Sequence, residues 1–327
     1  MAKVFITRSV PGRPVDLLEQ AGHQVEVWPG ELPPSRDVLA NRLESAAALL
    51  TMVTDGIDAD LMAAAPGLRI IANMAVGYDN VSPSDANEAG IWLTNTPGVL
   101  AETTADLAFA LLMDAARNLT ASDRDTRAGG WKTWSPTAFL GQDVYRATLG
   151  IVGLGEIGEA MARRARGFSM RILYASRTRK PAVESNLGLE WRSFEEVLVS
   201  SDFVSLHVPL TPETRHLISH RELALMKPGA ILVNTTRGAV VDQDALVASL
   251  RSGHLGGAAL DVTDPEPLPL DHPLFALPNA VITPHIGSAS LATRAKMAEM
   301  AAMNIIEVLA GRMPLNPVNE PSKPRTA

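Results

Sequence analysis

"TLGIVGLGEIGEAMARRARGF", Thr148 to Phe168, decides the fold. An apolar run, Thr148 to Val152, leads into Gly153, Gly155 and Gly158 in the spacing G-x-G-x-x-G, and an amphipathic helical pattern follows. In that order the glycines describe the turn of a dinucleotide-binding strand–turn–helix unit. Gly153 permits the tight turn, Gly155 lets a pyrophosphate approach the backbone, and Gly158 lets the helix pack on the sheet. Leu154, Glu156 and Ile157 complete the turn and the helix start, whose unpaired N–H groups are expected to face the phosphates.

The next apolar run, "RILYASRTRK" from Arg171 to Lys180, ends without the acid that would hold the ribose hydroxyls of NAD. Ser176, Arg177 and Thr178 stand there instead. A 2′-phosphate would repel an acid and welcome Arg177, with Ser176 and Thr178 as hydroxyl donors, so NADP is the expected cofactor and NAD remains possible. Arg179 and Lys180 add a diffuse positive field.

Working outward, short β-rich runs alternate with helical stretches along the whole chain. "KVFIT", "QVEVW", "AAALLTM", "RIIANMAV" and "IWLTN" precede Thr96. A long helical pattern runs from about Glu102 to Arg127. "TLGIVG", "MRILYAS", "FVSLHV", "AILVNTT", "GAALDV" and "AVITP" follow. Nearly continuous apolar runs suit parallel strands covered on both faces, and the alternation indicates doubly wound α/β architecture. A chain of 327 residues exceeds one ordinary core, so two domains are expected. The tail "NEPSKPRTA" is expected to be loosely ordered.

The net charge of −7 argues against a general nucleic-acid binder, which needs a basic field. No cysteine occurs, which excludes disulfides, thiolate zinc sites and a cysteine nucleophile. No run approaches the length of a membrane span, and Arg8 interrupts the N-terminal apolar stretch before it could serve as a signal peptide. The reading is a soluble cytoplasmic protein.

Three segments look chemical. "VNTTRGAVVDQDAL" puts Arg237 just past a strand, "ALDVTDPEPLP" puts Asp261 at a strand end and Glu266 between two prolines, and "VITPHIGSAS" puts His285 after a strand. An arginine, a carboxylate and a histidine at strand ends supply an anion anchor, a group that orients the histidine and a proton shuttle. His216 and His220 lie in a polar stretch, and Asp242 and Asp244 begin a helix, where helix-start electrostatics accounts for them.

These segments, with "NMAVGYDNVS" and "ETTADLAFALLMDAARN", resemble the D-isomer-specific 2-hydroxyacid dehydrogenase family, on its glyoxylate/hydroxypyruvate reductase branch, which includes 2-ketogluconate reductases. The resemblance implies two Rossmann-like doubly wound domains. A dinucleotide-binding domain, 98–288, is inserted into a discontinuous substrate domain, 1–97 and 289–327. It implies that Arg237 binds the substrate, that His285 is the acid/base and that Glu266 pairs with it. Val76 and Gly77 would offer N–H groups to the substrate carboxylate, with Val53 or Met52 shaping the pocket. Thr104 and Asp261 would contact the nicotinamide end of the cofactor and His207 and Pro209 the adenosine side, with Thr235 and Gly287 as further cofactor contacts.

The implied partners are a small 2-oxo acid and a second copy of the chain, docked through the apolar face of "ADLAFALLMDAARN"; Trp134, just beyond it, either reaches towards the partner's cleft or packs within the interface. No metal, nucleic acid or membrane is implied. A dinucleotide-sensing co-regulator and a phosphoglycerate- or formate-type dehydrogenase are the competing readings. The family's Gly-Lys pair before the cofactor strand is replaced here by Arg146 and Ala147.

Overall fold

A computed structural model describes residues 1 to 326. They divide into two compact units, Met1–Leu100 with the stretch from Ser288 onward, and Ala101–Gly287, against expected boundaries at 97/98 and 288/289.

The first unit holds β1 (Lys3–Ile6), β2 (Gln24–Val27), β3 (Ala48–Thr51), β4 (Ile70–Asn73) and β5 (Trp92–Thr94). All pair in parallel, in the order β2-β1-β3-β4-β5. Every residue of β3 and β4 is buried, as an unbroken apolar run in a covered parallel sheet must be. Phe5, Leu49, Ile71 and Leu93 form a core with Leu39 and Leu43 of helix Arg36–Leu43 and Leu61 and Met62 of helix Ala59–Ala63. Helix Leu291–Leu309 lies against β3, β4 and β5. Its N-terminus is capped by the Ser290 hydroxyl, which accepts the Thr293 N–H.

The tail is docked, contrary to the expectation of a loose end. Asn319 uses its side-chain amide as a strand neighbour would, accepting the Leu93 N–H at 2.7 Å and donating to Ile91 O at 2.9 Å. The Val318 N–H donates to Leu93 O, so the outer edge of β5 is covered. Further along, the Arg325 guanidinium donates to the carbonyls of Ala65 and Leu68. A polar, proline-containing composition does not prevent docking when side chains satisfy backbone groups that would otherwise lack partners.

The second unit holds β6 (Thr148–Val152), β7 (Arg171–Ala175), β8 (Leu189–Trp191), β9 (Phe203–Leu206), β10 (Ile231–Asn234), β11 (Gly257–Leu260) and β12 (Ala280–Ile282). They form one parallel sheet, β12-β11-β10-β9-β6-β7-β8. The edge strand β8 was not expected, because three residues with a central Glu190 have no apolar period to read.

The helical pattern from Glu102 to Arg127 is also broken. Asn118 takes φ +54°, and separate helices run Ala101–Arg117 and Leu119–Arg127. Asparagine tolerates the left-handed region, and here its side-chain amide donates to the carbonyls of Phe139 and Leu140. The first of these helices buries Ala105, Ala108, Phe109, Leu111, Leu112 and Ala116 in its own unit's core. Its apolar face is therefore not the one left for a second copy. Exposed apolar surface lies beyond it instead, at Leu119, Trp131, Trp134, Phe139 and Leu140. Among the described residues no helix is long and apolar enough to cross a membrane.

Candidate active site

The glycine turn joins β6 to helix Glu156–Gly167. Gly153 has φ +95°, and a Cβ there would stand 2.6 Å from His207 O. At Gly155 a Cβ would meet nothing within 4 Å, so space lies directly over the helix N-terminus. A pyrophosphate fits such a cradle: open volume above bare N–H groups at the positive end of a helix. Leu154 and Gly158 are buried, while Glu156 is exposed at the first helical position.

Beyond β7, the basic residues separate into two kinds. Arg179 donates to both oxygens of Glu184 at 2.9 and 2.8 Å and lies over the Trp191 ring. That guanidinium, with the Tyr174 hydroxyl second, holds the Glu184 carboxyl down at about 2. Lys180 pairs with Glu159 at 2.8 Å. Arg177 is exposed and makes no hydrogen bond or ion pair with the described residues, although its field lowers the pKa of Glu213. One cation of the three is thus uncommitted. The Ser176 hydroxyl donates to Thr178 O at 2.6 Å. Since a hydroxyl has a single hydrogen, Ser176 is not the outward donor expected of it.

His207 follows β9, and its N–H donates to Val152 O at 2.7 Å. Nε2 pairs with Ser205 Oγ at 2.9 Å, and Nδ1 is sealed from solvent without a partner. Part of the residue remains accessible, but the sealed nitrogen belongs to the titrating ring, and desolvation lowers its pKa to about 4. Pro209 is exposed beyond it. The Thr235 hydroxyl, after β10, is likewise buried without a partner.

The chemical residues converge at the carboxyl end of this sheet. His285 Nδ1 and Glu266 Oε1 are 2.5 Å apart, with about a third of each side chain exposed. His285 has φ +54°. Its N–H donates to Asp261 O, and the Asp261 carboxylate accepts from Thr283 Oγ1, Ile286 N and Gly287 N. Asp261 is buried, which raises its pKa against the lowering effect of those donors. So the acid expected at the nicotinamide end also fixes the turn that carries His285. Gly287 lies beside Asp261 and Thr104: a Cβ there would be 3.3 Å from each side chain. Arg237 is extended, at φ −142°, and donates to Thr236 O, while Asn234 Nδ2 donates to Arg237 O. Glu266 sits in an exposed loop whose Asp264–Pro265 and Glu266–Pro267 bonds are both cis.

In the first unit, the loops after β3 and β4 are tied together. Asn80 Nδ2 donates to Met52 O and Asp55 O, flanking Val53. Asn73 holds Gly77 O and Asn95 holds Val76 O, both at 2.9 Å. The N–H groups of Val76 and Gly77 have no partner among the described residues. Sequence reasoning missed Asp55, whose side chain is fully buried at the centre of this edge. Nothing in "TMVTDG" distinguishes it from a turn acid.

A dinucleotide cradle joined to an arginine, a carboxylate and a histidine at sheet ends defines a nucleotide-dependent oxidoreductase of the doubly wound class. Residues 109–287 match the model of the D-isomer specific 2-hydroxyacid dehydrogenase NAD binding domain. A glyoxylate reductase of Korarchaeum cryptofilum is 52% identical over 97% of this chain and 96% of its own length. Among solved structures, the TT0316 protein of Thermus thermophilus is 52% identical at a TM-score of 0.92, covering 97% of this chain and 99% of that one. The NADPH-dependent glyoxylate/hydroxypyruvate reductase of Sinorhizobium meliloti, in complex with NADP and malonate, is 30% identical at 0.86, covering 100% and 99%. The chain belongs to the D-isomer specific 2-hydroxyacid dehydrogenase family, and relatives about half identical to it over nearly its whole length are glyoxylate reductases.

Proposed function

We propose that this protein reduces a small 2-oxo acid, glyoxylate or hydroxypyruvate, to the D-2-hydroxy acid with NADPH. The observation that carries the reading is the 2.5 Å contact between His285 Nδ1 and Glu266 Oε1. A carboxylate on one imidazole nitrogen orients the ring and stabilises its protonated form, so the other nitrogen can donate. When bound, the cofactor supplies the hydride. His285 gives a proton from Nε2 to the carbonyl oxygen as that oxygen becomes a hydroxyl. Arg237 holds the substrate and offsets the charge developing on the same oxygen, an effect that counts most in the transition state. The Val76 and Gly77 N–H groups are proposed to take the substrate carboxylate.

Arg177 supports NADP over NAD, because it alone of the three basic residues makes no ion pair with an acid among the described residues. The names of the Korarchaeum and Sinorhizobium relatives support the substrate class. A homodimer is proposed through the segment that carries Trp131 and Trp134, exposed by 70% and 79%. The cytoplasm is the proposed compartment.

The test is steady-state kinetics on a panel of glyoxylate, hydroxypyruvate, 2-ketogluconate and pyruvate with NADPH and NADH. Glyoxylate and hydroxypyruvate with NADPH are expected to give the highest kcat/KM. Arg177→Ala should raise the KM for NADPH about tenfold or more and leave that for NADH nearly unchanged, as loss of one charge-assisted contact predicts. Equal losses with both cofactors would remove Arg177 as a phosphate reader.

A further inference from the structure

Glu266 must be held beside His285, yet its own segment offers little to hold it with. Pro265 and Pro267 have no N–H, and residues Asp264 to Pro267 are exposed. The anchoring lies two residues before Glu266, at Asp264, and comes from a residue far away in sequence. The Gln243 side-chain amide takes both backbone groups of Asp264: Oε1 accepts the Asp264 N–H at 3.0 Å, and Nε2 donates to Asp264 O. Thr263 Oγ1 donates to Pro265 O at 2.9 Å, and Arg215 lies 3.6 Å from the Asp264 carboxylate.

Gln243 is itself well fixed. It opens helix Gln243–Arg251, which the Asp242 carboxylate caps by accepting the Ala245 N–H. That helix follows directly from the turn that begins at Arg237. Within the turn, Gly238 packs so closely on the Thr263–Asp264 backbone that a Cβ would collide with it. One short stretch, residues 237 to 243, therefore carries the substrate-binding arginine and clamps the loop that carries the carboxylate.

We propose that Gln243 is a positioning residue, acting through the Asp264 backbone to keep Glu266 within reach of His285. Only a side chain with a donor and an acceptor on one planar group can satisfy both backbone groups of Asp264 at once. Leucine offers neither. Glutamate keeps the acceptor and sets a carboxylate against the Asp264 carbonyl. The proposal rests on the reading of Glu266 as the partner of His285.

The experiment is a double-mutant cycle on the full-length enzyme, with glyoxylate and NADPH as substrates. Gln243→Leu and Gln243→Glu are each made in the native and the Glu266→Gln backgrounds. In the native background, Gln243→Leu is expected to lower kcat about tenfold, with both KM values within about twofold, and Gln243→Glu to lose less. With Glu266 already replaced, the same changes should cost less than about twofold more, since there is no longer a carboxylate to position. Equal fold-losses in the two backgrounds, or a rise in KM with kcat intact, would overturn the proposal. Should the leucine variant fail to fold, the isosteric Gln243→Glu cycle decides by the same criterion. Glu266→Gln alone leaving kcat unchanged would instead bring down the reading of Glu266, and the Gln243 proposal with it.

Discussion

In each unit the first strand ends beside the strand at which the chain order reverses, β1 beside β3 and β6 beside β9, where an open α/β sheet has its crevice. In the second unit that crevice is kept clear. Gly153 lets the turn lie on the His207 carbonyl, and Gly155 leaves open space above the helix start. In the first unit the same place is filled. Thr7 and Thr51 hydroxyls and the Met52 N–H converge on Asp55 Oδ2 at 2.5, 2.9 and 3.0 Å, with Arg8 3.8 Å from Oδ1. The topology makes the crevice in both units. The side chains around it decide whether it holds a ligand or holds the fold together.

Substitutions that exchange the two outcomes test this contrast most directly. Asp55→Ala strands two hydroxyls, an N–H and a neighbouring guanidinium, so urea unfolding should reveal a loss of about 3 kcal/mol. Dinucleotide affinity, measured by fluorescence titration, should hardly change. Gly155→Val should do the reverse. Its backbone is extended and its surroundings are empty, so Tm should stay within a degree or two, while Kd for the dinucleotide rises about 100-fold. The contrast breaks if Asp55→Ala weakens cofactor binding as much as it weakens the fold.

His207 sharpens the comparison from the cofactor side. Its pKa is lowered to about 4 in the folded chain, against about 6.5 unfolded. Between those values the unfolded state binds the extra proton, so stability falls as pH drops through that window and levels off near pH 4. For the apoprotein, the loss from pH 7.5 to 4.5 should be about 2 kcal/mol larger than in His207→Gln. Matching pH slopes for the two proteins would mean that the ring is solvated when folded.

The smallest effect is expected just before β6. Arg146 adopts φ +63°, a left-handed conformation that costs an ordinary L-residue about 1–2 kcal/mol. Arg146→Gly should recover about 0.5–1 kcal/mol after the added freedom of the unfolded chain is discounted. An unchanged or lower Tm would mean that the Arg146 side chain, stacked on Tyr145, stabilises as much as its backbone costs.

What could be read from the sequence was whatever acts locally or in period. The G-x-G-x-x-G turn, the buried strands and the helix caps all depend on neighbours within a few residues, so composition and spacing reveal them. Arg237, Glu266 and His285 stood out singly, but that Glu266 and His285 meet came from family resemblance, because folding brings together loops 19 residues apart. Asp55, Asn319 and Arg325 were not legible. Each satisfies backbone or hydroxyl groups distant in the chain, and no pattern around them records that. The break at Asn118 was hidden for a different reason: helical signals run across it, and only its conformation interrupts them.

The docked tail bears on the order in which the two units can form during synthesis. Ala101–Gly287 is contiguous, so its sheet can close as soon as that stretch has left the ribosome. The first unit cannot. Its five strands emerge early, but helix Leu291–Leu309 and the residues around Asn319 arrive only after the whole second unit. Until then β5 presents an unpaired outer edge, a surface on which a second nascent chain can pair. The first sheet is therefore most open to such pairing just before the residues around Asn319 emerge, and Asn319 is the residue that closes that edge.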